Sequence, residues 1–246
     1  MKLSILSLLL TTVVTCAFGQ WGDNYIKLSE NITTESKKMT GFDKIDVSED
    51  FEVYIHYSEG AEKVEIEANE NLHDLIVVEK NGETLMIYTK PYSMSSGTVW
   101  GGAPEKLVAN ITVNKLSGIR GDEDVIFVLE DKIYADKLTI DLNEDSELEG
   151  HLEVRELVVR LDEDSVLDVR GSTETMDVQA NEDSTLKGMR FVTRDLSIEL
   201  DEDSMAKLTV NGKINLRARE DSYFYFRGDG YFAKKRLTGD SEIKNW

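Results

Sequence analysis

Apolar residues recur at alternate positions through the C-terminal half of this chain, and the alternation restarts on a fixed beat. Aligning on Ser146, Ser165, Ser184, Ser204, Ser222 and Ser241 gives intervals of 19, 19, 20, 18 and 19 residues. Eight residues before the serine stand Leu138, Leu157, Met176, Leu196, Ile214 and Ala233. Six before stand Ile140, Val159, Val178, Ile198 and Leu216, and four before stand Leu142, Leu161, Ala180, Leu200, Ala218 and Leu237. A further apolar column, Leu148, Leu167, Leu186, Ala206, Phe224 and Ile243, lies two after it. A two-residue period marks a strand with one buried face. A fixed repeat of this length marks a solenoid in which each repeat is one stacked coil. Each coil is predicted to hold a strand, a tight turn, a second strand and a short return segment.

Upstream the same grammar persists less cleanly. "VSEDFEVYI" (47–55), "ANENLHDLI" (68–76) and "RGDEDVIFV" (120–128) fit the turn, with Phe51, Leu72 and Val125 in the serine column. This predicts roughly nine coils from about residue 42 to the C-terminus. At about 4.8 Å per stacked strand they make a rod on the order of 40 Å long. The last coil places Lys235 in an apolar column, and "KKRLTGDSEIKNW" suits a polar cap that blocks edge pairing. Residues 20–41 are predicted to form the opposite cap or a tether.

The turn itself is acidic. Asp145, Asp164, Asp183, Asp203, Asp221 and Asp240 stand one residue before the serine, and Glu144, Glu163, Glu182, Glu202 and Glu220 two before. Carboxylates stacked at this spacing repel by roughly 1 kcal/mol in bulk water and about 3–4 kcal/mol at an effective dielectric of 20. Two readings follow. In the first the triplet is a solvated turn, Asn and Asp favouring turn geometry and the inward serine forming a hydroxyl ladder. A mixed column five before the serine (Asp141, Arg160, Gln179, Glu199, Arg217, Arg236) then cross-pairs. In the second, calcium sits between coils, held by Asp145, Asp164, Asp183, Asp203 and Asp221 with turn carbonyls. Against calcium, the triplet lacks the glycines of established calcium-binding β-roll repeats.

The whole chain has 246 residues and a formal charge of -20, a field that repels nucleic acid and anionic membrane surfaces. Residues 1–19 read as a signal peptide: Lys2, an apolar run, then Ala17-Phe18-Gly19 before Gln20. Cys16, the single cysteine, leaves with it, so no disulfide is expected; lipidation at Cys16 is the alternative, and Thr15 is a poor residue before such a cysteine. No later apolar stretch is long enough to span a membrane.

Little points to catalysis. His56, His73 and His151 are scattered without metal-ligand spacing, and exposed or capping positions are expected for them. Repeated carboxylates imitate a glycosidase dyad, yet an identical pair in every coil is a structural signature, and coils of 18 to 20 residues leave no length for cleft-building loops. Residues 90–106, "KPYSMSSGTVWGGAPEK", interrupt the repeat. A loop this long is often functional, and Tyr92, Met94 and Trp100 are candidate ligand contacts; the alternative is a flap that packs its aromatics over the coil edge.

The stretches "GFDKIDVSEDFEVYI" (41–55), "KVEIEANENLHDLIVVEKNGETLMIYTK" (63–90) and "KLVANITVNKLSGIRGDEDV" (106–125), with the tandem coils after them, resemble the putative auto-transporter adhesins with a head GIN domain. The resemblance implies a right-handed parallel β-helix and no catalytic residues. That family's turn usually reads Ser-Gly-Ala-Ser-Asp, and only "TGDS" (238–241) comes near it here. The expectation is an all-β, single right-handed parallel β-helix over residues 42–246. It is exported to the periplasm, cell surface or medium, needs no cofactor, and binds an envelope glycan or protein.

Overall fold

The computed structural model describes residues 24–26, 28–90, 98–100 and 106–245. The predicted signal segment, most of the inserted loop and Tyr92 lie outside them. The described strands, in chain order, are β1 (Asn24–Ile26), β2 (Ile32–Lys37), β3 (Lys44–Ser48), β4 (Glu52–Tyr57), β5 (Lys63–Asn69), β6 (Ile76–Asn81) and β7 (Thr84–Thr89). Next come β8 (Thr98–Trp100), β9 (Leu107–Val113), β10 (Gly118–Asp122), β11 (Ile126–Leu129), β12 (Ile133–Leu142) and β13 (Glu147–Leu161). Last are β14 (Val166–Ala180), β15 (Thr185–Leu200), β16 (Met205–Val210), β17 (Lys213–Ala218), β18 (Tyr223–Arg227), β19 (Tyr231–Leu237) and β20 (Glu242–Asn245).

These strands wind into an all-β solenoid of about seven turns with coils of about 19 residues. The face that precedes the acidic turn stacks β6, β7, β3, β10, β12, β13, β14, β15, β17 and β19. The face that follows it stacks β2, β5, β9, β4, β11, β13, β14, β15, β16, β18 and β20. Strands β13 to β15 run 15 or 16 residues and so serve both faces. Pairing is parallel except at the N-terminal end, where β2, β5 and β6 pair antiparallel.

The apolar columns face inward. Leu138, Leu157 and Leu196, then Ile140, Val159 and Ile198, then Leu148, Leu167 and Leu186, are all at most 1% exposed. Each fully buried aliphatic side chain contributes roughly 1.5–3 kcal/mol of transfer free energy, and stacked repeats add these terms coil by coil. Phe51 and Val125 fill the serine position in the two early coils and are likewise buried.

Three details correct the repeat read from sequence. The nine coils are about seven. Residues 68–76 make no solenoid turn: β5 ends at Asn69, and Glu70–Leu72 form one 3-10 turn leading to the β6–β7 hairpin. Leu72 is buried, but in the N-terminal cap. Chain order also departs from spatial order there, because β7 and β9 return to the N-terminal side of β3 and β4. In the last coil a bulge between Ile214 and Asn215 puts Phe232, not Ala233, opposite Ile214. Counting back from Ser241 misses that extra residue.

Candidate functional site

The acidic triplet forms a turn of an uncommon kind. In seven successive turns both acidic residues adopt positive φ: Glu49 and Asp50, Glu123 and Asp124, Glu144 and Asp145, Glu163 and Asp164, Glu182 and Asp183, Glu202 and Asp203, Glu220 and Asp221. In the last five, Glu lies at 47–48° and Asp at 58–63°. Positive φ at both central residues defines the type I′ turn, whose preferred residues are Asn and Gly. The turn closes on itself where Ser165, Ser184 and Ser204 N–H donate to Asp162, Asn181 and Asp201 carbonyls at 3.2–3.3 Å. It also bonds to the next turn: Asp145, Asp164, Asp183 and Asp203 N–H donate to Glu163, Glu182, Glu202 and Glu220 carbonyls at 2.8–2.9 Å. The chain bends without glycine because this backbone ladder holds the left-handed residues in place. The absence of glycine is therefore no bar to a tight turn here.

Ser146, Ser165, Ser184, Ser204 and Ser222 are fully buried. Their hydroxyls serve the turn backbone: Ser165 Oγ donates to Asp162 O at 2.6 Å, Ser204 Oγ to Ala180 O at 2.9 Å, and Ser222 Oγ to Arg219 O. Ser146 Oγ accepts from Val125 N–H at 3.3 Å, while Ser184 Oγ is buried without a partner. The expected hydroxyl ladder is thus a set of hydroxyl-to-backbone bonds.

The candidate cation ligands Asp145, Asp164, Asp183, Asp203 and Asp221 are exposed and lie in one column fixed by the turn-to-turn bonds. Among the described residues no group of three or more His, Cys, Asp or Glu side chains converges as a metal site would. Two residues earlier the column is half-buried, and there like charges are kept apart. Asp122, Asn143, Asp162, Asn181, Asp201 and Arg219 alternate, with Asn143 Nδ2 donating to Asp122 Oδ1 at 2.7 Å and Arg219 pairing with Asp201. Carboxylates repeat without interruption only where solvent screens them.

The outward column five before the serine runs, in register, Asp46, Arg120, Asp141, Arg160, Gln179, Glu199, Arg217, Arg236. No two neighbours share a sign until the last two members, neutral Gln179 separating Arg160 from Glu199. Burial raises the Asp46 carboxyl above its ordinary range, Arg120 opposing and Asp122 and Asp141 reinforcing. Glu49 is raised by burial and by Glu123 and Asp50, although Thr89 N–H donates to it at 3.0 Å. Glu202 is raised by desolvation within the stack, then by Glu182 and Glu220. In the opposite sense, hydrogen bonds from Lys37 to Glu35, Lys63 to Glu65, Ser172 to Glu153 and Lys213 N–H to Asp195 lower those carboxyls.

A pH dependence follows. Groups raised on folding hold protons that the unfolded chain has released, so their cost is relieved as pH falls toward the folded pKa. Groups lowered on folding contribute stability above the ordinary carboxylate range and lose it as pH falls through the folded pKa. The melting temperature therefore rises as pH falls from neutral toward the folded pKa of the raised carboxyls, and falls again at lower pH as the lowered carboxyls are protonated. Glu202→Gln flattens the limb that rises as pH falls from neutral; an unchanged slope in a thermal-melt series would show that the stacked glutamates are not its source.

The three histidines stay apart. His56 Nδ1 is 3.9 Å from Asp131, His151 Nε2 is 3.3 Å from Glu153, and His73 is buried in the N-terminal cap with Nε2 3.1 Å from Thr33 O. Trp100 ends β8, which pairs in parallel with β1, Trp100 opposite Ile26.

Surface grooves run between the outward rows. One of about 280 Å³ is lined by Glu156, Asp177, Asp195 and Lys213, among others. Another of about 350 Å³ crosses β15, β17 and β19 and is lined by Glu199, Asn215, Arg217, Lys234, Lys235 and Arg236. The repeat alignment did not single out this basic groove, although the two consecutive arginines that end the alternating column signal it.

Comparison with known proteins agrees with this architecture. Among curated proteins none matches the chain in sequence. The solenoid is similar to the crystal structure of a putative adhesin from Bacteroides fragilis NCTC 9343, with a TM-score of 0.78 at 19% identity, covering 90% of this chain and 100% of that one. A structure named as a putative lipid binding protein from Parabacteroides distasonis ATCC 8503 gives 0.73 at 15% identity over 90% and 99%. A putative adhesin from Parabacteroides merdae ATCC 43184 gives 0.69 at 14% over 91% and 99%. At these identities the likeness establishes the fold. The family described as "putative auto-transporter adhesin, head GIN domain" matches residues 41–230, and the chain belongs to that family.

Proposed function

We propose that this protein is an exported, non-catalytic binding module of the cell envelope, which holds an envelope glycan or protein on the outer surface of its solenoid. The observation that carries this reading is the continuous outer surface itself. Two sheet faces present outward side chains in register from one coil to the next, and the grooves between them are shallow. Catalysis needs unlike groups brought together at one point; here the histidines are dispersed and the carboxylates form a repeating column. Family membership supports an adhesin-type role and an envelope location. Among the described residues no helix is long and apolar enough to cross a membrane.

The test is sedimentation of the mature chain, starting at Gln20, with cell envelopes of the producing organism, in EDTA and in millimolar calcium. Saturable retention, equal in the two conditions, is the expected result. No saturable retention in either condition would overturn the reading. Retention that requires calcium would transfer the binding role to the acidic turns.

A further inference from the structure

The chain's charge is unevenly placed. Residues 187–246 carry 12 Lys and Arg against 10 Asp and Glu, while residues 1–186 carry 16 against 38. A chain with a strongly negative field thus ends in a coil of the opposite sign. The outward row of β19 reads Tyr231, Lys234, Arg236, beside Lys213, Asn215, Arg217 of β17. The bulge at Ala233 creates that row, since it brings Lys234 beside Asn215 and Arg236 beside Arg217.

Edge protection explains lysines on the last strand, but it does not explain Arg217 one coil further in. Arg217 is half-buried, and its Nε is enclosed without a hydrogen-bond partner. Of its two register neighbours Glu199 carries the opposite charge and Arg236 the same one, whereas Arg120 and Asp141 earlier in this column each stand between two residues of opposite sign. Arg217 and Arg236 stand opposite each other on strands about 4.8 Å apart, and with Lys234 they set three cations against the single carboxylate of Glu199 in one groove, an excess of positive charge that an anion completes. Guanidinium binds carboxylate through two parallel hydrogen bonds. Tyr231 is 62% exposed at the start of the same row, and an exposed aromatic face is a platform on which a sugar ring stacks.

We propose that the C-terminal groove of Arg217, Lys234 and Arg236, with Tyr231, binds a carboxylate-bearing acidic polysaccharide. This inference rests on the binding-module reading and names the chemical class of its partner. An extended chain of carboxylates meets the spaced cations, and the tyrosine favours sugar over a plain polyanion. The chain's net negative field acts against any polyanion, so contact is confined to this end, where residues 231–236 carry three positive charges and no carboxylate.

Biolayer interferometry on the immobilised mature chain tests this with polygalacturonate, polyglutamate, neutral dextran and vesicles of phosphatidylglycerol. Polygalacturonate is expected to bind at low salt and to weaken as salt rises, as charge pairing requires. Arg236→Gln, on the exposed last coil, and the double variant Arg217→Gln/Arg236→Gln weaken it by about tenfold or more, the scale of a lost charge-assisted contact. Tyr231→Ala weakens polygalacturonate more than polyglutamate, and Lys80→Gln at the far end changes neither. Thermal melts confirm that Arg236→Gln is folded, so the proposal does not depend on the more buried Arg217. Equal binding by wild type and Arg236→Gln overturns it. So does a preference for vesicles or polyglutamate, or concentration-dependent self-association that is lost in the variant. Envelope retention without polygalacturonate binding would refute this groove assignment alone; loss of both would refute the binding-module reading as well.

Discussion

Gly171→Ala is expected to destabilise the protein by about 3–5 kcal/mol, among the largest effects of any single methyl group in the chain. Gly171 has φ of 117°, a region that L residues avoid, and it sits opposite Leu152 where β13 and β14 pair. A β-carbon there would lie 2.0 Å from Leu152 O and 2.9 Å from the His151 ring. The first contact is with backbone that is already part of the parallel ladder, so relief requires parting two coils. Gly82 is the internal control. Its φ is also positive, at 63°, but nothing lies within 4 Å of a β-carbon there. Gly82→Ala therefore carries only the conformational cost, about 1–2 kcal/mol. Urea unfolding of both variants decides the matter: equal midpoints would mean that the coils separate at this corner without loss.

The second large effect has the opposite sign. Changing Glu-Asp to Asn-Gly in all five turns at 144–145, 163–164, 182–183, 202–203 and 220–221 is expected to stabilise the solenoid by about 4–6 kcal/mol, near 1 kcal/mol per turn. Each left-handed non-glycine residue costs roughly 1–2 kcal/mol, partly returned by the greater entropy that glycine has when unfolded. Removing ten stacked carboxylates adds relief of repulsion that salt already screens in part. The turn-to-turn bonds survive, because Asp145, Asp164, Asp183 and Asp203 donate through backbone N–H to backbone carbonyls. Such a gain corresponds to a rise in melting temperature of about 10 °C or more for a domain of this size. An unchanged or lower melting temperature would mean that the acidic side chains contribute stability of their own, as they would if they held cations between coils.

Much of the fold was legible because a solenoid repeats its physics. One buried residue per column is weak information, but Leu142, Leu161, Ala180, Leu200 and Ala218 at fixed spacing are not. The N-terminal cap was misread for the same reason. "ANENL" copies the acidic turn in composition, yet Asn69 ends an antiparallel strand and Glu70 opens a 3-10 turn, because β5 pairs with β2 and β9 instead of with the coil above. Which partner a strand takes is decided by distant residues, and local pattern does not carry it. The sequence also hides the left-handed turn: Glu is a poor residue for positive φ, and only the stacked backbone bonds hold it there. The candidate site was legible in part. The acidic column is plain in the repeat, whereas the basic groove depends on the bulge beside Ala233, a one-residue slip in register that places Lys234 and Arg236 on the outer face.

The most direct test of the whole account compares envelope retention of three forms of the mature chain side by side. These are the wild type, the five-turn Asn-Gly variant, and Arg217→Gln/Arg236→Gln. If the molecule binds through its C-terminal outer face and uses the acidic turns only to bend the chain, the turn variant is retained like wild type and the arginine variant is released. Release of the turn variant with retention of the arginine variant would place binding on the acidic column and contradict the account.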